Sequence, residues 1–182
     1  MITAIVGPMF SGKSTELIRR LERAQIAGKN VVLIRPDTDT RGQLTHNRSR
    51  VAIDPIFLPS LEFFDPTGID VVGIDEGQFF PDLARYANDY AGFGAHVIVT
   101  GLPLTSELKP FTSIVELLPF AEEIVRLNAV CARCGSDFGA FTHFKAGRKT
   151  QEVLVGGSDK YDSLCRACYF TLNRDLEGGG QT

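Results

Sequence analysis

The sequence lacks several features that would each have opened a functional class. It has no excess of basic residues: 19 Lys and Arg stand against 22 Asp and Glu, a formal charge of −3. Non-specific binding to DNA or RNA needs a basic face, so nucleic acid is not an expected partner. No apolar run approaches the ~20 residues that a membrane-spanning helix requires, and no membrane partner is expected. Met1 to Phe10 has no basic segment ahead of its short apolar run, unlike a secretory leader; a cytoplasmic location is expected. Histidine is scarce. His46, His96 and His143 have no ligand-like spacing and read as structural or solvated. Only four cysteines are present; without a leader they point to a reducing compartment, where metal binding is favoured over disulfides. There is no internal repeat.

What is present suits one α/β domain with a small appendage. The 182 residues are 43% hydrophobic and 23% charged, which is enough apolar material for a real core. Ile2–Val6 reads as a strand that ends at Gly7-Pro8. Leu17, Ile18, Leu21 and Ala24 recur at helical spacing over residues 14–26, and Gly28 closes that helix. Further strands are expected at residues 31–34, 70–74, 96–100 and 122–130. Leu83, Tyr86, Ala87 and Tyr90 mark a second helix ending near Gly92. Residues 36–50 read as a polar, mobile loop. The alternation predicts a mainly parallel sheet covered on both faces over residues 1–130. From Cys131 the helical pattern gives way to glycines, cysteines and short β-like runs such as residues 152–155. Residues 131–174 are expected to form a zinc ribbon with a long loop, and residues 175–182 a disordered Gly-rich tail.

Gly7-Pro8-Met9-Phe10-Ser11-Gly12-Lys13-Ser14 matches G-x-x-x-x-G-K-[ST] in full, between a strand and a helix. Such a loop turns backbone N–H groups inward around the phosphates of ATP, and the helix N-terminus adds favourable partial charge. Lys13 should reach the β- and γ-oxygens, and Ser14 should ligate Mg²⁺. An ordinary Gly-rich strand–helix turn is the bland alternative. Val71-Val72-Gly73-Ile74 leads into Asp75-Glu76, and functional groups in parallel sheets gather at C-terminal strand ends. Asp75 would hold Mg²⁺ beside the phosphate loop. Glu76, pointing to the opposite side of the strand, would act as general base on the attacking oxygen. Taken alone, the pair could be a solvated acidic turn, and it leaves open whether the acceptor is water or an alcohol.

Cys131-x-x-Cys134 and Cys165-x-x-Cys168 form two knuckle-like pairs separated by 30 residues. Together they offer tetrahedral Cys₄ coordination with no open position, so the Zn²⁺ they predict is structural; two disulfides or four free core thiols are the alternatives. Weaker signals are Asp37, Asp39 and Arg41 in the polar loop, which could contact nucleotide or simply form a turn. Phe79, Phe80 and Phe111 could line a pocket but belong more often to a core.

With these pieces placed, the sequence resembles type II thymidine kinases from Met1 to about Phe170. The resemblance rests on the phosphate loop, Asp75-Glu76-Gly77-Gln78-Phe79-Phe80, Lys109-Pro110-Phe111, the two Cys pairs and Gly156-Gly157-Ser158-Asp159-Lys160-Tyr161. It implies transfer of the ATP γ-phosphoryl to the 5′-hydroxyl of thymidine, a homotetramer, and feedback inhibition by dTTP. It also implies that Glu76 is the base and that Asp75 and Ser14 serve Mg²⁺. The loop between the Cys pairs would close over the base. Tyr161, Gly156 and Thr142 fall in that loop or its flanks; Met9, Leu102, Phe79 and Phe111 match apolar pocket positions; Asp39 and Arg41 match positions near sugar and phosphates. One stretch departs: where the family usually reads Gly-Leu-Asp-x-x-Phe, this chain has Gly101-Leu102-Pro103-Leu104-Thr105-Ser106.

A zinc-ribbon ATPase, with Glu76 activating water, and a nucleotide-binding regulator that has lost catalysis are the competing readings. Base choice is expected to come from backbone groups of residues 152–157, because that apolar, Gly-rich segment has few side chains able to read a base edge. Such groups would match thymine O4 and N3–H and mismatch cytosine at both places.

Overall fold

A computed structural model describes residues 1–38, 53–145 and 159–178. Its centre is a six-stranded sheet, every pairing parallel, in the order β3-β2-β4-β5-β1-β6. The strands are β1 (Ile2–Val6), β2 (Val31–Pro36), β3 (Ile56–Leu58), β4 (Val71–Ile74), β5 (His96–Gly101) and β6 (Glu123–Arg126). Among the described residues there are four α-helices: α1 (Lys13–Ile26), α2 (Leu83–Gly92), α3 (Thr112–Leu117) and α4 (Arg166–Gly178). A two-stranded antiparallel hairpin, β7 (Phe141–Phe144) with β8 (Tyr161–Leu164), stands apart from the sheet.

The central strands are apolar on both faces, as parallel strands buried under helices must be. Ile2, Ala4, Val6, Val32, Ile34, Val72, Ile74, Val97 and Val99 share one core with Leu83, Ala87 and Tyr90 of α2 and Ile114 and Leu117 of α3. The intervening residues Ile5, Leu33, Val71 and Ile98 pack with Leu17 and Leu21 of α1 on the other face. The two-residue strand period and the helical stripe of α1 therefore meet as the sequence predicts.

Several elements differ from expectation. The edge strand β3 is three residues long with Ile56 and Phe57 exposed, too short and too wet to leave a periodic signal. Pro36 closes β2 and pairs with Leu58 instead of opening a loop. The expected strand at residues 122–130 is only Glu123–Arg126. Helix α3 has six residues, fewer than two turns, so no helical period could show. The tail boundary at residue 175 also moves, because α4 stays helical to Gly178. Its apolar contacts, Cys168, Tyr169 and Leu172, lie in one cluster with Cys165, which precedes the helix; Cys168 belongs to the helix's apolar side, which masks the period. Residues 152–155 and 179–182 lie outside the described residues.

At Gly73 the side chains of α1 press directly on the sheet. A Cβ there would sit 2.6 Å from Leu21 Cδ1 and 3.2 Å from Leu17 Cδ1. Gly73→Ala is expected to destabilise the fold by about 1–3 kcal/mol through overpacking, measured as a lower urea midpoint with an unchanged slope.

Candidate functional site

The strand order brings the motifs together. β5 lies between β1 and β4, so the phosphate loop, Thr100 and Asp75 follow one another along the C-terminal edge of the sheet. The loop is tight. Gly12, at the N-cap of α1, has φ 81°, a left-handed conformation that glycine adopts without strain. Phe10 takes φ 63° as well, which costs an aromatic residue on the order of 1–3 kcal/mol. A Cβ on Gly7 would lie 2.4 Å from the Leu127 carbonyl oxygen and 2.7 Å from Ser11 Oγ, so the backbones approach as closely as glycine permits. Inside the loop, Lys13 Nζ donates to the Pro8 carbonyl at 2.7 Å, and Ser11 Oγ donates to the same oxygen at 2.8 Å. Lys13 is 8% exposed, and its ammonium is held at the floor of the loop.

Asp75 is 1% exposed and sits just past the end of β4. Ser14 Oγ donates to Asp75 Oδ1 at 3.0 Å, and Thr100 Oγ1 donates to the same oxygen at 2.5 Å. Asp75 Oδ2 finds no hydrogen-bond partner among the described residues, although Arg35 Nε approaches it to 3.8 Å. Burial and the neighbouring Glu76 push the Asp75 carboxyl above the usual range, against the pull of Thr100, Ser14 and Arg35. A buried carboxylate oxygen without a hydrogen bond, beside a serine hydroxyl on a phosphate loop, is a donor set that fits a hard cation such as Mg²⁺.

Glu76 is arranged differently from the strand alternation expected of it. It lies outside β4 and takes φ 56°, so a left-handed turn, not the pleat, separates its side chain from that of Asp75. The chain then enters a short 3₁₀ turn, Gly77–Phe79. Gln78, 7% exposed, reaches back: its Nε2 donates to Glu76 Oε2 at 2.5 Å, and its Oε1 accepts from the Leu102 N–H at 3.1 Å. Sequence reasoning gave no role to Gln78, Thr100 or Arg35; only their place near strand ends could have flagged them.

The other expected positions lie in different settings. Met9 and Thr142 meet, with the Met9 N–H donating to Thr142 Oγ1 at 3.1 Å. Leu102 is tied to the Glu76 carboxylate through Gln78. Phe80 belongs to the sheet core at 1% exposure, and Phe111 packs against that core. Phe79 is half-buried in the 3₁₀ turn, and Tyr161 is buried with its ring 5.4 Å from that of Phe144. Asp39, Arg41 and Gly156 lie outside the described residues, as does His46. Of the other histidines, His96 meets Thr3 Oγ1 at 2.9 Å and His143 stands edge-on to Tyr169, both structural contacts.

The four cysteines converge. Their sulfurs all lie within 4.8 Å of one another, and Cys134 Sγ is 3.8 Å from Cys165 Sγ. A disulfide would need about 2.05 Å; the edge of a tetrahedron with Zn–S bonds of about 2.3 Å is roughly 3.8 Å. Burial raises the Cys131 thiol, but N–H groups of Cys165, Cys134 and Arg133 outweigh it and bring it down to about 6. The Cys168 thiol is pushed up to about 12, first by its contact with Cys165. One thiolate thus forms readily and opposes others at close range, a conflict that a divalent cation relieves. The donor set fits Zn²⁺.

The thymidine kinase family model matches residues 1–169. The chain belongs to the thymidine kinase family. It is 43% identical to the cytosolic thymidine kinase of Gallus gallus over 173 residues, covering 93% of this chain and 76% of that protein. It is 44% identical to the thymidine kinase of Rabbit fibroma virus (strain Kasza) over 174 residues, covering 93% and 96%. It is 44% identical to the cytosolic thymidine kinase of Homo sapiens over 172 residues, covering 93% and 73%. Among the described residues of this thymidine kinase family member, no helix is long and apolar enough to cross a membrane.

Metal analysis of the freshly reduced protein is expected to find one zinc per chain. Cys165→Ser is expected to abolish that stoichiometry; undiminished zinc in the variant would show that the cluster is not its site.

Proposed function

We propose that the site transfers the γ-phosphoryl of ATP to the 5′-hydroxyl of thymidine, with Glu76 as general base. The observation that carries this reading is the joining of Ser14, Asp75 and, one residue on, Glu76 at the mouth of the phosphate loop, in a chain that the thymidine kinase model matches over residues 1–169. Backbone N–H groups of residues 7–14 and the Lys13 ammonium would bind and orient the triphosphate. Ser14 and Asp75 would hold Mg²⁺, which, when bound, offsets charge on the β- and γ-oxygens. Glu76 would take the proton from the 5′-hydroxyl as the new O–P bond forms and the bond from the γ-phosphorus to the bridging oxygen breaks; ADP leaves with that oxygen. Gln78, anchored on the Leu102 N–H, would keep the Glu76 carboxylate turned toward the acceptor.

The nucleoside would lie among Met9, Leu102, Phe79, Phe111, Thr142 and Tyr161, with Asp39, Arg41 and Gly156 completing the site. A homotetramer, inhibition by dTTP and a cytoplasmic location belong to the same reading; family resemblance supports the first two, and the printed names of the Gallus gallus and Homo sapiens relatives support the third.

Two measurements test this. A panel of nucleosides with ATP and Mg²⁺ should give 5′-monophosphate in the order thymidine, then deoxyuridine, with deoxycytidine and purine nucleosides far behind. Two mismatched backbone hydrogen bonds against cytosine, about 1–3 kcal/mol each, correspond to roughly 10²–10⁴-fold. Equal kcat/KM for deoxycytidine would refute backbone readout, and phosphate release without nucleoside phosphorylation would point to an ATPase. Glu76→Gln should lower kcat about 10²–10⁴-fold with little change in ATP binding; retained turnover would remove Glu76 from the role of base.

A further inference from the structure

The hairpin beside the cysteine cluster touches the phosphate loop at one residue, from both sides. Thr142 and Ser163 are direct cross-strand partners in β7 and β8, so their side chains share a face. Both are buried, at 5% and 2% exposure. Thr142 Oγ1 accepts the Met9 N–H, and Ser163 Oγ donates to the Met9 carbonyl oxygen. Met9 is thereby gripped at both its backbone polar groups by two hydroxyls that belong to another part of the chain.

The place of the grip matters. The Met9 carbonyl belongs to the peptide plane that precedes Phe10, and the orientation of that plane sets the Phe10 φ. Phe10 is the aromatic residue held in the left-handed region at φ 63°. A conformation of that kind persists only where its surroundings over-determine it. No glycine stands at position 10 to make the turn without strain; the hydroxyl of Ser163 fixes the plane instead. From this turn the backbone runs on to Gly12 and the first turn of α1, whose N–H groups would face the phosphates of bound ATP.

Ser163 is also tied to the cysteine cluster by its own backbone. The Ala132 N–H, next to Cys131, donates to the Ser163 carbonyl at 2.9 Å, and Cys165 follows two residues later. One residue thus connects the two knuckles with the turn of the phosphate loop.

We propose that Ser163 is a positioning residue for ATP. It holds the 9–10 peptide plane in the orientation that aims the loop's N–H groups at the phosphates, and it couples that orientation to the integrity of the cysteine cluster. The proposal rests on the reading that residues 7–14 bind ATP, and the experiment separates the two. ATP and thymidine dissociation constants would be measured for the wild type, Ser163→Ala and Ser163→Thr, each checked for full zinc content. Loss of the hydroxyl should weaken ATP binding about 5–30-fold, the range of a broken hydrogen bond to a partly buried carbonyl. Thymidine affinity should fall clearly less than ATP affinity, because Ser163 holds the Met9 backbone and leaves its side chain untouched, and Ser163→Thr, which keeps a hydroxyl on a β-branched side chain suited to a strand, should restore most of the ATP affinity. Hydrogen exchange on the wild type gives a second measure that needs no variant. Removing zinc with a chelator should speed exchange at residues 9–12 at least about tenfold more than at β4 and β5, which only global unfolding exposes. No ATP binding by the wild type would overturn the loop's reading and this proposal together. Wild-type binding with Ser163→Ala unchanged, an equal loss for both ligands, or loop exchange indifferent to zinc would overturn the proposal alone.

Discussion

Asp75 joins three strand ends with a single carboxylate oxygen. Ser14, in the first turn of the helix that follows β1, and Thr100, at the end of β5, both donate to Oδ1, while Asp75 itself follows β4. The sheet order makes this contact unavoidable, because β5 separates β1 from β4 by one strand spacing of about 4.8 Å on either side. Burying that carboxylate is costly unless its oxygens are satisfied. One oxygen is satisfied by the two hydroxyls; the other has no hydrogen bond among the described residues. The fold therefore carries a local deficit that a cation beside the phosphate loop would offset, and the surrounding elements hold that deficit in register.

The cysteine-bearing unit completes this arrangement from outside the sheet. Its cluster of Cys131, Phe141, Leu164 and Tyr169 packs with Leu104 and Leu108 of the segment after β5. Tyr169 Oη donates to the Ser106 carbonyl at 2.6 Å. The hairpin reaches the Met9 backbone from the other direction. A unit this small cannot bury enough apolar surface to be stable by itself. Contact with the sheet contributes, a zinc ion held by the four cysteines would add to it, and the Thr142 and Ser163 hydroxyls join the unit to the phosphate loop at Met9.

Most of this architecture was legible because it follows local rules. The doubly buried strands, the amphipathic stripe of α1, the phosphate loop and the Cys pairs each leave a periodic or spaced signal within one short window. What escaped was set by distance along the chain or by length. β3 and α3 are too short to show a period. Glu76 reads as a strand residue in the sequence because the left-handed turn after Ile74 leaves no signature when the residue is not glycine. Gln78, Thr100 and Ser163 act through partners 24 to 154 residues away, and nothing in the neighbourhood of each residue announces them.

The stretch from Pro103 to Ser106 shows how the family frame tolerates a changed sequence. The Pro103 carbonyl accepts the Phe111 N–H at 3.1 Å, and Thr105 N–H donates to the Lys109 carbonyl at 2.8 Å, closing a tight loop. Leu108 turns through φ 62° within it. The Ser106 contact with Tyr169 again uses a carbonyl. At residues 103 and 106, therefore, the contacts that hold this segment are made by the backbone and make no demand for an acid or an aromatic side chain. Leu102, the residue before the departure, keeps its N–H on Gln78 and through it on Glu76. The altered residues lie beyond that link, and the tether on the Glu76 carboxylate is in place without them.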